Sequence, residues 1–174
     1  MARVGVGDVA PDFELESVNM SRVSLDDYSG HRLVIIFSRY FGCPVCQYDF
    51  DEILENMDKI KEYAELIYLN QSSPESARNY LKNYQINFPV IPVPEDDGYK
   101  VYRDYGVGNI SLGTAVAILR RAGEARKAGK THGAYEGREI QSPADFVVDE
   151  AGKIIWAHRG VLDLGGLLGF LESL

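Results

Sequence analysis

Two cysteines, three histidines and one tryptophan are all that 174 residues supply of those types. The scarcity excludes several functions. A structural zinc site takes about four ligands. His31, His132 and His158 show no His-x₃₋₅-His spacing, and there is no second cysteine pair, so neither a metal nor another cofactor is expected. Long apolar runs are missing too. A membrane-crossing helix needs about 20 consecutive apolar residues, and no stretch qualifies. Positive charge is short: 18 Lys and Arg stand against 26 Asp and Glu, a net charge of −8. That balance disfavours nucleic acid and anionic membrane surfaces as partners. The opening Met1-Ala2-Arg3-Val4-Gly5 has no export-signal core, so the expectation is a soluble protein of the reducing cytoplasm, where structural disulfides are unusual. No internal repeat is present, and the length suits one compact domain over residues 1–174 with a sizeable core.

What is present centres on Phe37-Ser38-Arg39-Tyr40-Phe41-Gly42-Cys43-Pro44-Val45-Cys46. Both cysteines lie here, spaced Cys-x-x-Cys. An apolar run, Leu33–Phe37, precedes them and reads as a buried strand. Apolar or small residues then recur at Cys46, Phe50, Ile53, Leu54, Met57, Ile60 and Ala64, the period of a helix. The pair therefore sits where a central strand hands over to a helix N-terminus. Proline is favoured at the first helical position, which makes Cys43 the N-cap and Cys46 the third helical residue. A thiolate on Cys43 would receive backbone N–H groups and the positive end of the helix dipole. Arg39 adds a cation if the short loop folds back. Each effect lowers a thiol pKa from about 8.5 toward ~7 or below. Cys46, on the apolar stripe, is expected to be the more buried thiol. One activated and one shielded thiol make a dithiol–disulfide couple.

The rest of the chain supplies a sheet. Phe13 and Leu15 alternate on a short strand after the Gly7–Pro11 turn. Residues 65–70 form the next strand, and Ser73-Pro74-Glu75-Ser76 caps a helix running to about Tyr84. Strand–helix–strand–helix order indicates a parallel α/β sheet. The proline-rich stretch 87–94 suits an extended or edge segment, and a short helix spans 99–105. Within a helical insertion at 107–141, Leu112, Ala115, Val116, Ile118 and Leu119 mark one helical face. Arg120, Arg121, Arg126, Lys127 and Lys130 follow as a basic run, which reads chiefly as a solvated face. Residues 131–141 read as a polar loop with His132 exposed. Residues 146–149 and 154–158 form a hairpin turning at Glu150-Ala151-Gly152-Lys153, with Trp156 as a packing residue and His158 at a strand end without a visible partner. A helix closes the chain from about Asp163 to Leu171.

These motifs together resemble the thioredoxin-like superfamily. More narrowly, the chain resembles the redoxin group of alkyl-hydroperoxide-reductase-C and thiol-specific-antioxidant proteins, the peroxiredoxin relatives. The carriers are Gly7-Asp8-Val9-Ala10-Pro11-Asp12-Phe13-Glu14-Leu15, Ser73-Pro74-Glu75-Ser76, Phe88-Pro89-Val90, and Phe146-Val147-Val148-Asp149 with Gly152-Lys153-Ile154. The resemblance implies an α/β thioredoxin-like fold: a central mixed β-sheet flanked by helices, with an N-terminal extension and the helical insertion before the closing hairpin. The group carries Pro-x-x-x-Thr-x-x-Cys at the strand–helix junction. Aligned on Cys46, that pattern places Arg39 at the proline and Cys43 at the threonine, while the group's second arginine falls near Pro143. Of its markers only the attacking cysteine remains. Cys-x-x-Cys with a proline ahead of the closing strands is similar instead to thioredoxins. That likeness implies a cis Ser142–Pro143 bond packed against Cys43 and Cys46, with the Ser142 backbone free to pair with a substrate strand. Ile36 occupies the place where thioredoxins often bury an aspartate.

The expected activity is a thiol–disulfide oxidoreductase in cell redox homeostasis, with Cys43 attacking, Cys46 resolving, and Arg39 and Pro143 completing the site. A thiol peroxidase working through Cys46, with Cys43 resolving, is the alternative. A redox-responsive binding module, supported by the basic run, is a third. The partners implied are a disulfide-bearing protein or a small thiol or peroxide, together with an electron donor. Monomer and homodimer both fit.

Overall fold

The computed structural model describes residues 3–174; Met1 and Ala2, part of the stretch read for an export signal, lie outside the described residues. Strands β1 (Glu14–Leu15) and β2 (Val23–Ser24) pair antiparallel as a small separate ribbon. β3 (Leu33–Phe37) follows, then α1 (Pro44–Glu55), α2 (Met57–Lys61), β4 (Glu65–Asn70) and α3 (Pro74–Leu81). β5 (Val90–Pro92), α4 (Lys100–Asp104) and α5 (Leu112–Lys127) come next. The chain ends with β6 (Ala144–Val148), β7 (Ile154–Arg159) and α6 (Leu164–Glu172).

The main sheet has the order β5-β4-β3-β6-β7. β3 is its centre, parallel to β4 and antiparallel to β6, so the sheet is mixed. All five residues of β3 are buried, as expected for a strand covered on both faces. Side chains alternate across a strand, which divides the core in two. Leu33, Ile35 and Phe37 join Tyr102, Tyr105 and Phe146 on one face. Val34, Ile36 and Tyr68 meet α1 through Phe50 and Ile53, and α6 through Leu167 and Leu171, on the other. β5 is an edge strand, where Pro92 deprives no neighbour of a ladder hydrogen bond. Among the described residues no helix is long and apolar enough to cross a membrane.

The structure corrects two expectations here. The helix expected to run from the cysteines to about Ala64 is broken at Asn56, whose backbone leaves the helical region (φ −110°, ψ 11°). The Asn56 side chain donates to the Glu52 carbonyl at 2.9 Å. Such local bonding competes with the helix ladder, and α2 restarts beyond it. The second correction concerns α5. Leu112, Val116 and Leu119 face solvent, and the residues that pack toward the cysteines are Ile118 and Ala122. The basic run is also less free than its charge suggests. Arg121 pairs with Asp49, Glu52 and Glu124, and Lys130 with Asp51, so the run ties α5 and the following loop to α1.

Phe50 joins α1 to the sheet. Its ring meets Tyr68 at 4.9 Å, Phe41 at 5.3 Å and Tyr84 at 5.7 Å between centroids, each edge-on. Deleting a buried phenylalanine costs about 3–5 kcal/mol. Phe50→Ala is therefore expected to lower the unfolding free energy by about that amount, read as a reduced denaturant midpoint with an unchanged slope; a loss under about 1 kcal/mol would show that this cluster does not hold α1 in place.

Candidate active site

The end of β3 determines where the sulfurs lie. The Ser38 N–H donates to the Leu69 carbonyl at 2.9 Å, and Tyr102 donates its hydroxyl proton to the Ser38 carbonyl at 2.7 Å. The Gln71 N–H reaches the Arg39 carbonyl. The chain then turns, with the Cys43 N–H on the Tyr40 carbonyl at 3.1 Å, and enters α1. Cys43 is the N-cap in extended conformation (φ −81°, ψ 122°), and Pro44 opens the helix. The Cys43 carbonyl accepts the first helical bond, from the Gln47 N–H at 3.0 Å. This is the arrangement that the sequence implies for a proline at the first helical position.

Both thiols are free and nearly covered, Cys43 at 5% and Cys46 at 4% exposure. Their environments differ. The thiol of Cys43 is drawn down to about 6, chiefly by the proton that Cys46 directs at it. Burial opposes this, while the amides of Cys46 and Val45 and the Arg39 guanidinium help. Arg39 Nη1 donates toward Cys43 Sγ at 3.8 Å. No cap hydrogen bond from the helix amides closes on that sulfur, so their contribution is electrostatic. Cys46 moves the opposite way. Its bond to Cys43 and its burial push its thiol well up, and the Ser38 hydroxyl only partly offsets them.

A narrow cavity of about 20 Å³ brings together Arg39, Cys43, Cys46 and Pro143. The four site residues expected from the sequence therefore share one place. The geometry at Pro143 differs from expectation: among the described residues there is no cis peptide bond, so Ser142–Pro143 is trans. The approach is fixed by hydrogen bonds instead. The Ser142 N–H donates to the Gly108 carbonyl at 2.9 Å, and the Gln141 amide reaches the Val107, Gly108 and Ser142 carbonyls. The Ser142 backbone is thus engaged within the fold and not free for a substrate strand.

Three groups escaped the sequence analysis. Asp145, on β6 opposite Ile36, is buried against the cavity. It accepts from Trp156 Nε1 at 2.6 Å and pairs with His158 Nδ1 at 2.8 Å. His158 therefore has a partner after all, and that bond raises its pKa. Asp49 on α1 lines the same cavity beside Arg121, and burial raises its carboxyl to about 7 against the pull of that arginine. A charged residue inside each apolar pattern was the available signal. The third is the loop 131–141, which crosses the cysteine turn. The Gly133 N–H donates to the Gly42 carbonyl at 2.8 Å, and Gln47 Nε2 to the Thr131 carbonyl at 3.1 Å. Arg39 also holds the Glu139 carbonyl, and His132 Nε2 lies 3.3 Å from the Tyr40 hydroxyl. The loop is solvent-exposed, as read, but it straps the site.

Comparison with known proteins agrees with this architecture. The family model described as AhpC/TSA family matches residues 6–157. Peroxiredoxin Bcp of Escherichia coli is 26% identical over 149 residues, 85% of this chain and 81% of that protein. Chloroplastic peroxiredoxin Q of Gentiana triflora is 28% identical over 114 residues, 65% of this chain; the match spans about half, 51%, of that protein. Among solved structures, the thioredoxin domain of a thiol-disulfide oxidoreductase from Bacteroides vulgatus superposes with a TM-score of 0.62 at 18% identity, covering 98% of this chain and 97% of that one. The fold is thioredoxin-like.

Two outcomes are expected from the site geometry. The pH dependence of alkylation of the reduced protein should show a midpoint near 6 for Cys43. In Arg39→Ala that midpoint should rise, because the cation favours the thiolate, yet stay below the free-cysteine value of about 8.5; an unmoved midpoint would remove Arg39 from the activation. Separately, a Cβ on Gly42 would collide with the Ala134 carbonyl oxygen. Gly42→Ala should therefore lift the strap, seen as faster proteolytic cleavage within 131–141, and an unchanged cleavage rate would mean that the close approach is not what holds it.

Proposed function

We propose, from the premise that this chain belongs to the AhpC/TSA family, that it is an oxidoreductase whose working couple is Cys43 and Cys46, exchanging thiols with a disulfide. The observation that carries this reading is the asymmetry of the pair. Cys43 caps α1 beside Arg39, while Cys46 is sealed behind it with its thiol pushed well up. In the first step the Cys43 thiolate attacks one sulfur of the substrate disulfide. The substrate S–S bond breaks, and the released thiolate takes a proton from solvent. Cys46 then loses its proton and attacks Cys43 Sγ, freeing the second substrate thiolate and leaving Cys43–Cys46 oxidised. The substrate gains two electrons, which a dithiol donor must return to the protein. Arg39 stabilises the attacking thiolate, and Pro143 lines the cavity that the two sulfurs share. The strap over Cys43 favours small disulfides, or peptides able to displace residues 131–141.

The second reading, a thiol peroxidase reducing hydroperoxides through Cys46, is favoured by the peroxiredoxin names of the relatives. Burial and the raised thiol of Cys46 weigh against it, because peroxide is attacked by a thiolate.

Single cysteine variants separate the two. Cys46→Ser offered a small disulfide is expected to accumulate a mixed disulfide on Cys43, visible by intact mass, since nothing remains to resolve it. Failure to trap that adduct would sink the oxidoreductase assignment. Cys43→Ser offered hydrogen peroxide is expected to stay unmodified at Cys46; a rapidly formed sulfenic acid there would promote the peroxidase.

A further inference from the structure

The second exchange step places negative charge on the Cys46 sulfur, in the more enclosed part of the site. Cys46 is 4% exposed, and its thiol is pushed well up. A buried ion needs hydrogen-bond donors beside it. Arg39 directs its donor at Cys43, so the cation of the site serves the first sulfur.

Two hydroxyls of the same cavity are unassigned. Tyr68 on β4 stands opposite Ile36 on β3. Side chains alternate along a strand, so Ser38, two residues past Ile36, falls on the same face. Ser38, Tyr68 and Cys46 line one cavity of about 20 Å³. Both hydroxyl residues are buried, Ser38 at 5% and Tyr68 at 1% exposure. The Tyr68 hydroxyl has no hydrogen-bond partner among the described residues. Leaving a buried hydroxyl unpaired is costly, and the rings packed on Tyr68 are those of Phe41 and Phe50, which carry none. Ser38 stands between the orphan and the sulfur. Its N–H and carbonyl are committed to Leu69 and Tyr102, which leaves its hydroxyl to act in the cavity. The bond to Cys43 and burial raise Cys46, burial raises Tyr68, and the Ser38 hydroxyl opposes the rise at both.

We propose that Ser38 and Tyr68 form a donor chain for the resolving sulfur: Ser38 donates its hydroxyl proton to the Cys46 thiolate as that thiolate attacks, and Tyr68 donates to Ser38 Oγ. This rests on the oxidoreductase reading above. A hydroxyl has one proton to give and lone pairs to receive, so Ser38 can do both at once. Linked hydroxyls polarise one another, which strengthens the terminal bond. The Tyr68 contact closes as charge develops on Cys46; such bonds are often long in a resting site and tighten in the reacting complex. No proton changes owner within the chain. Cys46 S–H releases its proton to solvent, its thiolate forms the S–S bond to Cys43, and the bond from Cys43 to the substrate sulfur breaks. That sulfur leaves with the electron pair and is protonated by solvent. Ser38 touches a reacting atom and is a catalytic residue for this step. Tyr68 acts through Ser38 and is a positioning residue.

The test uses 5,5′-dithiobis(2-nitrobenzoate) as the disulfide. Attack by Cys43 releases a first thionitrobenzoate, and attack by Cys46 on the resulting mixed disulfide releases a second. Ser38→Ala is expected to slow the second release about tenfold or more while the first changes by less than about twofold. Ser38→Thr, which keeps the hydroxyl, should outpace the isosteric Ser38→Val in the second release by a similar factor. Tyr68→Phe should slow the second release alone, by a few-fold. The double variant Ser38→Ala/Tyr68→Phe should match Ser38→Ala within about twofold, because the two groups act through one bond. Slowing that multiplies in the double variant overturns the chain, and so do equal second releases in Ser38→Thr and Ser38→Val. Equal slowing of both releases overturns it as well, as the mark of a structural role. If the Ser38 variants do not fold, Tyr68→Phe decides, since it removes a single oxygen. An unchanged second release there, with a higher denaturant midpoint, would show that the hydroxyl is only a buried cost and would reject the proposal. A wild-type protein without a first release would overturn the oxidoreductase reading itself; a normal first release with a second release indifferent to both hydroxyls overturns the donor chain alone.

Discussion

The structure depends on one hand-over, from a strand sealed on both faces to the first turn of a helix. β3 lies between β4 and β6 and is covered by two apolar clusters. It therefore cannot shift without moving both halves of the core. Where β3 ends, the backbone of Ser38 and Arg39 is held by Leu69, Gln71 and the Tyr102 hydroxyl. Only the tight turn 40–43 remains before Pro44, whose fixed φ suits a first helical residue. Cys43 thus becomes an N-cap because its neighbours are immovable. Cys46 lies buried beside it because residues three apart share a helix face. The chemistry of the pair follows from covalent spacing laid on a rigid junction.

That junction also sets the direction of the electric field across the sulfurs. On the outer side of Cys43 stands Arg39, with the amides of the helix N-terminus. On the inner side of Cys46 lie the cavity carboxylates Asp49 and Asp145, each with a cationic or proton-donating partner of its own. Negative charge is therefore favoured at the outer sulfur and opposed at the inner one. The single proton shared by the pair, donated from Cys46 to Cys43, strengthens the same division. A dithiol in a symmetric environment would have no preferred thiolate; here the surroundings favour ionisation at Cys43.

Much of this was legible in the sequence, for a definite reason. The period of 3.6 after Cys43, the unbroken run Leu33–Phe37 and the proline after Cys43 are local signals, and the junction is a local structure. The closing hairpin was legible for the same reason, since Asp149 and Gly152 close it with their own hydrogen bonds. What was not legible depends on distant partners. The strap 131–141 meets the site largely through its own backbone groups, the Gly133 N–H and the Thr131 and Glu139 carbonyls, which leave no trace in its side-chain pattern. The Ser142 backbone is engaged by Gly108, more than thirty residues earlier in the chain. His158 looked unpartnered because Asp145 lies across a strand pair, out of sight of any helical or alternating pattern. The face of α5 was misassigned because the partners of that helix are carboxylates on α1 as well as apolar groups, and Arg121 turns toward them.

The departures from the peroxiredoxin-like pattern now have a physical sense. With Cys43 in place of the group's threonine, a second sulfur stands where that pattern has a hydroxyl. With Arg39 in place of a proline, a cation reaches that sulfur from within the same loop. The two changes act together, because a thiol at a helix N-cap gains little as a nucleophile unless a positive group keeps it ionised. Arg39 also binds the carbonyl of Glu139 and so anchors the strap over Cys43. One guanidinium therefore touches both the thiol of Cys43 and the strap.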